Sequence, residues 1–134
     1  MPQALVEVAA ALLEEEGRLL IAQRPAGAHL AGVWEFPGGK REAGESWEAC
    51  LARELREELG LEIEVGPEVR RVRHAYPDRT VEIRFFRCRR VGGDPRPLGA
   101  AAFAWVAPAE LARYPFPPAD AELVAELSGA RGSR

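Results

Sequence analysis

Glu54, Glu57 and Glu58 stand at i, i+3 and i+4 near the end of the stretch Gly39–Leu61, GKREAGESWEACLARELREELGL. On a helix this spacing puts three carboxylates on one face, within reach of common cations. Like charges so placed repel each other, so the face is costly unless something positive joins them. Hard divalent ions such as Mg²⁺ take oxygen ligands of this kind and usually bring phosphate with them. Arg53, four residues before Glu57, can pair with it and restrain its rotamer. Just upstream, Phe36-Pro37-Gly38-Gly39-Lys40 reads as a rigid loop whose two glycines permit strained backbone and close approach. The bland alternative is a solvated acidic face, the ordinary fate of glutamate-rich helices.

The elements that must position these acids are legible nearby. The spacing predicts a helix from about Trp47, with Ser46 as its N-cap and Glu48 in the first turn, where the macrodipole favours an acid. Gly60 falls where a left-handed residue would end it. Trp47, Leu51, Leu55 and Leu59 recur every four residues as an apolar stripe bordered by the glutamates, while Arg56 points away. One edge of the helix is thus anchored to a core and the next edge faces a cleft.

The same stretch resembles the Nudix box. Gly39 is followed by five residues, Glu45, seven residues, and then Arg53-Glu54-Leu55-x-Glu57-Glu58-x-Gly60-Leu61. At roughly 6–7% per specified residue, a chance match at every fixed position is on the order of 10⁻⁹ for a chain this size. The motif therefore displaces the solvated-face reading. The likeness extends from about Val6 to Leu127 and is greatest to the MutT branch of the family. It includes Gln23-Arg24 with Ala28-His29, Glu35-Phe36-Pro37-Gly38-Gly39-Lys40, Tyr76-Pro77-Asp78-Arg79 and Phe116-Pro117-Pro118-Ala119.

The resemblance implies an α/β fold, the Nudix fold, with a mixed β-sheet sandwiched between helices. It implies an enzyme that cuts a nucleoside triphosphate between its α and β phosphates, releasing a monophosphate and pyrophosphate. Mg²⁺, for which Mn²⁺ can substitute, is the implied cofactor. By the family pattern Glu54, Glu57, Glu58 and the backbone carbonyl of Gly38 hold the metal. Arg53 orients the cluster, and Glu54 or Glu57 is the candidate for activating water. Arg24, Phe36, Arg79 and Asp120 are the implied substrate contacts. Each has a plainer reading, with Phe36 as core and Arg79 as a solvated turn residue. Lys40 is equally a phosphate partner or a solvated lysine.

Two departures from the MutT pattern bear on substrate. Asp120 stands where MutT has an asparagine, and an ionised carboxylate only accepts hydrogen bonds. The family's cytidine-nucleotide enzymes carry Asp in this context. Gly99, six residues before Trp105, replaces a loop glutamate, which moves the expectation for the general base toward Glu54. Asp94 could replace that glutamate if its loop folds back. The expected activity is MutT-like removal of oxidised guanine nucleotides such as 8-oxo-dGTP. The alternatives are hydrolysis of CTP, 5-methyl-dCTP or a broad substrate set, and, further off, a catalytically silent Nudix-fold recognition module.

The rest of the chain is consistent with one domain over residues 1–134, with 128–134 as a flexible basic tail. A net charge of −3 gives no overall attraction to a long polyanion, so small nucleotides rather than polymeric nucleic acid are the expected partners. A monomer or a homodimer is expected. Cys50 and Cys88 are too few for a disulfide framework or zinc site, and two buried thiols are favoured over a bridge. No targeting segment and no stretch of membrane-spanning length is visible, so the expected location is the cytoplasm. Strands are expected at Ala4–Leu13, Leu19–Ala22, Leu61–Val65, Val69–Tyr76, Thr80–Cys88 and Phe103–Val106, the first two pairing. A loop with Gly27 and Gly32 as hinges precedes Trp34, and a second helix with Leu123, Val124 and Leu127 inward follows Pro117-Pro118.

Overall fold

The structure, a computed structural model, describes residues 4–129. Seven strands and two α-helices follow in order: β1 (Ala4–Glu15), β2 (Arg18–Gln23), β3 (Trp34–Glu35), β4 (Gly38–Lys40), α1 (Trp47–Leu59), β5 (Glu62–Tyr76), β6 (Arg79–Gly92), β7 (Ala102–Val106) and α2 (Ala121–Leu127). Short 3-10 turns occupy Pro108–Arg113 and Pro118–Asp120. Of the expected tail only Ser128 and Gly129 fall within the described residues.

Strand β1 is the spine. It runs parallel to β6 from Ala4↔Arg79 to Leu13↔Cys88 and antiparallel to the short β4 on its other side. Its last residues turn away to pair with β2, which carries β3 and β7. The expected pairing of the first two strands is therefore present but confined to Glu14↔Leu19 and Glu15↔Arg18. A continuous apolar run such as Ala9–Leu13 suits a strand covered on both faces. Ala9, Ala11 and Leu13 pack under α1 with Leu51, Leu55 and Leu59, while Ala10 and Leu12 face α2 with Leu123 and Val124. The sheet is mixed and has a helix on each face.

The two strands expected at Leu61–Val65 and Val69–Tyr76 are one strand, β5, with register shifts between Val65 and Arg70. Pro67 cannot donate to a ladder, and the edge strand absorbs it, with Gly66, in this irregularity. A Cβ on Gly66 would lie 2.8 Å from the Arg87 carbonyl oxygen, so the bulge requires glycine there. The hairpin tip is tighter than expected. Only Pro77 and Asp78 turn, and Arg79 already pairs with Tyr76 in β6.

Helix α1 is specified locally. Ser46 Oγ accepts from the Ala49 backbone N–H at 3.0 Å, and Gly60 adopts φ 71°. Burying Leu51, Leu55 and Leu59 completely contributes roughly 1.5–3 kcal/mol for each side chain. Trp47 is only partly buried, and the guanidinium of Arg84 lies 4.0 Å from its ring. The loop after β6 closes the other end of the helix. The backbone N–H of Arg96 donates to Leu59 O, and those of Leu98 and Gly99 donate to Glu58 O. Carbonyls that a helix C-terminus leaves unpaired are thereby satisfied. Cys50 and Cys88 are free and buried, and burial pushes their thiols up to about 11 and about 12.

Candidate active site

A cleft of about 380 Å³ opens where β1, β3, β4, the N-terminal end of β6 and the Pro117–Asp120 segment meet α1. Four of the residues expected to contact substrate, Arg24, Phe36, Arg79 and Asp120, line it. So do Gly38, Glu54 and Glu58 of the expected metal set. Glu57 does not. Its side chain is 60% exposed on the outer shoulder of α1, where it accepts from Arg53 at 3.3 Å. The helical spacing puts the three acids on neighbouring rows, but the cleft reaches only the two that lie nearer the sheet.

Gly38 and Gly39 were expected to permit both strain and close approach. The structure uses only the second. Neither has a positive φ, whereas a Cβ on Gly38 would lie 1.9 Å from Ala9 O and one on Gly39 2.2 Å from the Glu54 carboxyl carbon. These glycines let β4 lie against β1 and let the Glu54 carboxylate rest on the chain.

Arg53 is a hub, and its chief partner is Glu45. Arg53 Nε donates to Glu45 Oε2 at 2.6 Å and its Nη2 to Oε1 at 3.0 Å, a two-point grip, while Nη1 reaches Glu54 at 2.9 Å. These hydrogen bonds hold the Glu45 carboxyl down to about 2. The pairing of Arg53 with Glu57 that i, i+4 spacing predicts is present but longer, at 3.3 Å, than those to Glu45 and Glu54. Glu45 was visible only as a fixed position of the Nudix box. Its contact with Arg53 arises because the loop before α1 folds back across the helix.

Glu58, in the cleft, lacks such compensation. Burial, reinforced by the charges of Glu35 and Glu54, pushes the Glu58 carboxyl up to about 8, with a hydrogen bond from the Gly38 backbone opposing it. Glu58 Oε1 is buried with no hydrogen-bond partner. Burial also raises Glu54, against the pull of Arg53. Asp120 is 4% exposed at the other end of the cleft, and burial with the charge of Glu35 pushes it up to about 7. Glu35, raised by burial and opposed by Arg24, faces both ends. Sequence reasoning missed its role, and the available signal was an acid set between Trp34 and Phe36 just before Pro-Gly-Gly.

Phe36 is both core and cleft wall. It is 3% exposed, with ring contacts to Phe85 at 6.0 Å and Phe116 at 5.2 Å. Arg79 lines the cleft and approaches Asp78 only at 4.0 Å. Trp34 packs edge-on against Tyr114 at 5.2 Å, and the His74 ring lies tilted against Tyr76 at 4.6 Å. Lys40 stands exposed at the cleft rim. Asp94 does not fold back to the acids. It pairs with Arg90 at 2.9 Å and its side chain is almost fully exposed. Gly99 does lie beside Glu58, 3.5 Å separating its would-be Cβ from the Glu58 Cα.

Known proteins resemble this chain along nearly its whole length. A profile of the NUDIX domain matches residues 8–126. The chain is a Nudix hydrolase. It is 38% identical over 130 residues to the CTP pyrophosphohydrolase of Escherichia coli, covering 97% of this chain and 96% of that one. It is 41% identical over 117 residues to the putative 8-oxo-dGTP diphosphatase 2 of Mycobacterium tuberculosis, covering 82% and 79%. Among solved structures, the solution structure of the E. coli ORF135 protein superposes with a TM-score of 0.79 at 37% identity, covering 98% and 96%.

Nudix hydrolases require a divalent metal, and the cleft of this one fits such an ion. Among the described residues no three acids, imidazoles or thiols are already gathered tightly enough to hold one. The acids nevertheless carry the mark of a cation site. Glu58 has an orphaned buried oxygen beside Glu54, and both carboxyls are pushed toward the neutral form that a bound cation would reverse. Among the described residues no helix is long and apolar enough to cross a membrane.

Proposed function

We propose that this Nudix hydrolase cleaves nucleoside triphosphates between the α and β phosphates, with Mg²⁺ as cofactor and oxidised guanine nucleotides such as 8-oxo-dGTP as substrates. The observation that carries this reading is one cleft with Glu54 and the unpartnered oxygen of Glu58 at one end and an apolar wall ending in Asp120 at the other. Glu54 and Glu58, with the Gly38 backbone, would hold the cation, and Glu57 would join them by a rotamer change that releases Arg53. When bound, the cation neutralises the phosphate oxygens and lowers the charge barrier to attack.

The protein's own residues supply the rest. Glu54 is the proposed proton acceptor from water. It is fixed by Arg53 and by its seat on Gly39, and hydrogen-bond reach to the water is what that role demands. Arg53 and Glu45 are positioning residues. Phe36 gives the base an apolar face, Arg79 supplies donors, and Asp120 reads the edge of the base. As an anion Asp120 accepts from two donors, which guanine offers at N1 and N2. Free, buried Cys50 and Cys88 suit a reducing cytoplasm, where such nucleotides are met.

A second reading, cytidine nucleotides, rests on Asp120 itself. A carboxyl titrating near 7 is half neutral there, and its neutral form donates and accepts, matching cytosine N3 and its exocyclic amine. The similarity to a CTP pyrophosphohydrolase supports it. A panel of 8-oxo-dGTP, dGTP, CTP and 5-methyl-dCTP, with Mg²⁺, with Mn²⁺ and with chelator, decides by kcat/KM and by product. Monophosphate and pyrophosphate are expected, with 8-oxo-dGTP favoured over dGTP. Equal rates for 8-oxo-dGTP and dGTP defeat the first substrate assignment, and no turnover with either metal returns the chain to a silent recognition module.

A further inference from the structure

Arg24 and Glu35 form an ion pair in the cleft wall that the reaction above does not use. Arg24 follows β2, and its Nη1 donates to Glu35 Oε1 at 3.0 Å. The same guanidinium donates from Nε to the carbonyl of His29 at 2.5 Å. The backbone of Arg24 closes the neck of the intervening loop. Its N–H donates to Val33 O at 2.9 Å, and its carbonyl accepts from the Gly32 N–H at 3.1 Å.

Between neck and tip the loop is otherwise held by local bonds, from the Ala28 N–H to Pro25 O at 3.2 Å, the Val33 N–H to Leu30 O at 3.2 Å and Gln23 Nε2 to Gly32 O at 3.1 Å, none of which ties its middle to Glu35 on the sheet. Residues 25–32 are exposed except for Ala28, and the chain passes through left-handed geometry at Gly27, Leu30 and Gly32. Leu30, with φ 57°, carries that conformation on a residue that disfavours it, so the surrounding structure must impose it. Even so, His29 and Leu30 form part of the cleft. A loop with few buried contacts opens easily unless tied. Arg24 is that tie, a side chain reaching from Glu35 on the sheet to the carbonyl at the middle of the loop.

We infer that Glu35 is a positioning residue that holds Arg24 across the loop and so fixes the 25–32 wall of the nucleoside end of the cleft. It acts on nucleotide binding rather than on the hydrolytic step. The inference rests on the nucleotide reading of this cleft but assigns Arg24 a different task, a strut in place of a direct contact to the base. The charge of Glu35 belongs to this strut and not to the cation site, although it is felt at Glu58 and Asp120.

Four variants test it: Arg24→Ala, Glu35→Ala, Glu35→Gln and the double alanine. Amide hydrogen exchange on the metal-free protein is expected to speed up over residues 26–32 by about tenfold in either single alanine variant, with no further gain in the double. Unchanged exchange at Ala22 and Ile21 shows that β2 remains folded. Glu35→Gln, whose amide oxygen still accepts from Arg24, is expected to lie between wild type and Glu35→Ala. In turnover, KM is expected to rise about tenfold in either alanine variant while kcat stays within about threefold, again without addition in the double. Additive KM losses, or loop exchange that does not change, overturn the strut. A collapse of kcat in Glu35→Gln with a raised requirement for divalent cation overturns it in favour of a cation ligand. Exchange needs no substrate, so failure of the wild type to hydrolyse any nucleotide would sink the proposed function and leave the loop result standing.

Discussion

Glu82 and Glu58 are both carboxylates withdrawn from water on the same side of the sheet, and the molecule treats them in opposite ways. Glu82, on β6, is gripped by Arg73 at 2.6 Å and Arg84 at 2.9 Å, and these hydrogen bonds hold its carboxyl below the usual range. Glu58, on α1, has no arginine, keeps an unpartnered oxygen and is pushed up to about 8. A buried charge persists when it is paired, and an unpaired one shifts toward neutrality. Glu82 therefore completes its own electrostatics within the fold, and Glu58 leaves them to be completed by a ligand. Arg53 draws the line between the two regimes within the Nudix box. It satisfies Glu45 fully and Glu54 in part, and it does not reach Glu58.

The comparison breaks first at Glu58→Gln. That substitution is expected to lower kcat by about 10³-fold or more, because it removes a charge from the cation site at constant shape. It is also expected to raise the Tm of the metal-free protein, since a buried unpaired acid is replaced by an amide. A variant that retains activity, or is destabilised, would end the view of Glu58 as an uncompensated ligand.

Glu82→Gln should do the reverse. Weakening this cluster, whose Arg73 is largely exposed, is expected to cost about 1–3 kcal/mol by urea unfolding, while kcat remains that of the wild type. The linkage has a definite sign. Because the folded-state value lies below the ordinary 4.5, the contribution of Glu82 is present above that pH and is lost as pH falls through the folded value. The wild-type advantage over the variant should therefore shrink in acid below about pH 4.5. An advantage that is flat with pH would remove the two arginines as its source.

A smaller effect is expected at Asp120, which stands between the two regimes. Its carboxyl is neutral below about 7 and ionised above it. The ratio of kcat/KM for 8-oxo-dGTP over CTP should rise by about tenfold as pH passes upward through that region, since the anion suits two donors and the acid suits a donor beside an acceptor. Asp120→Asn fixes one donor and one acceptor at all pH values, so the step should vanish. A step that persists in the variant would place its origin elsewhere. The smallest effect is expected from Gly99→Glu. The position adjoins Glu58 with ordinary contact distances for a Cβ, so a further carboxylate there is expected to strengthen Mg²⁺ binding a few-fold, about threefold in the concentration for half-maximal activity.

Much of this was legible from residue order. Helix α1 could be placed because its cap, apolar stripe and terminal glycine lie within one continuous stretch, and local geometry converts their spacing into shared faces. The sheet between helices was legible because apolar runs at β1 and β2 are too continuous for a strand with one wet face. Other features were not. β5 hides its continuity behind Gly66-Pro67, because a bulge on an edge strand looks, in sequence, like a break. Asp94 looked available until Arg90 took it, and Glu35 looked incidental until β3 turned it into the cleft. Each depends on a partner far along the chain.

Sequence alone determined the chemistry: the acids, their order on one helix, and the glycines that let the chain come close to them. Their number and spacing are properties of a short segment, so no distant contact was needed to read them. Tertiary structure alone decided which acids would be left without a partner. Whether a carboxylate meets a guanidinium depends on how strands and loops from remote parts of the chain are brought together, and that meeting separates Glu82, a closed ionic cluster, from Glu58, an acid awaiting its cation.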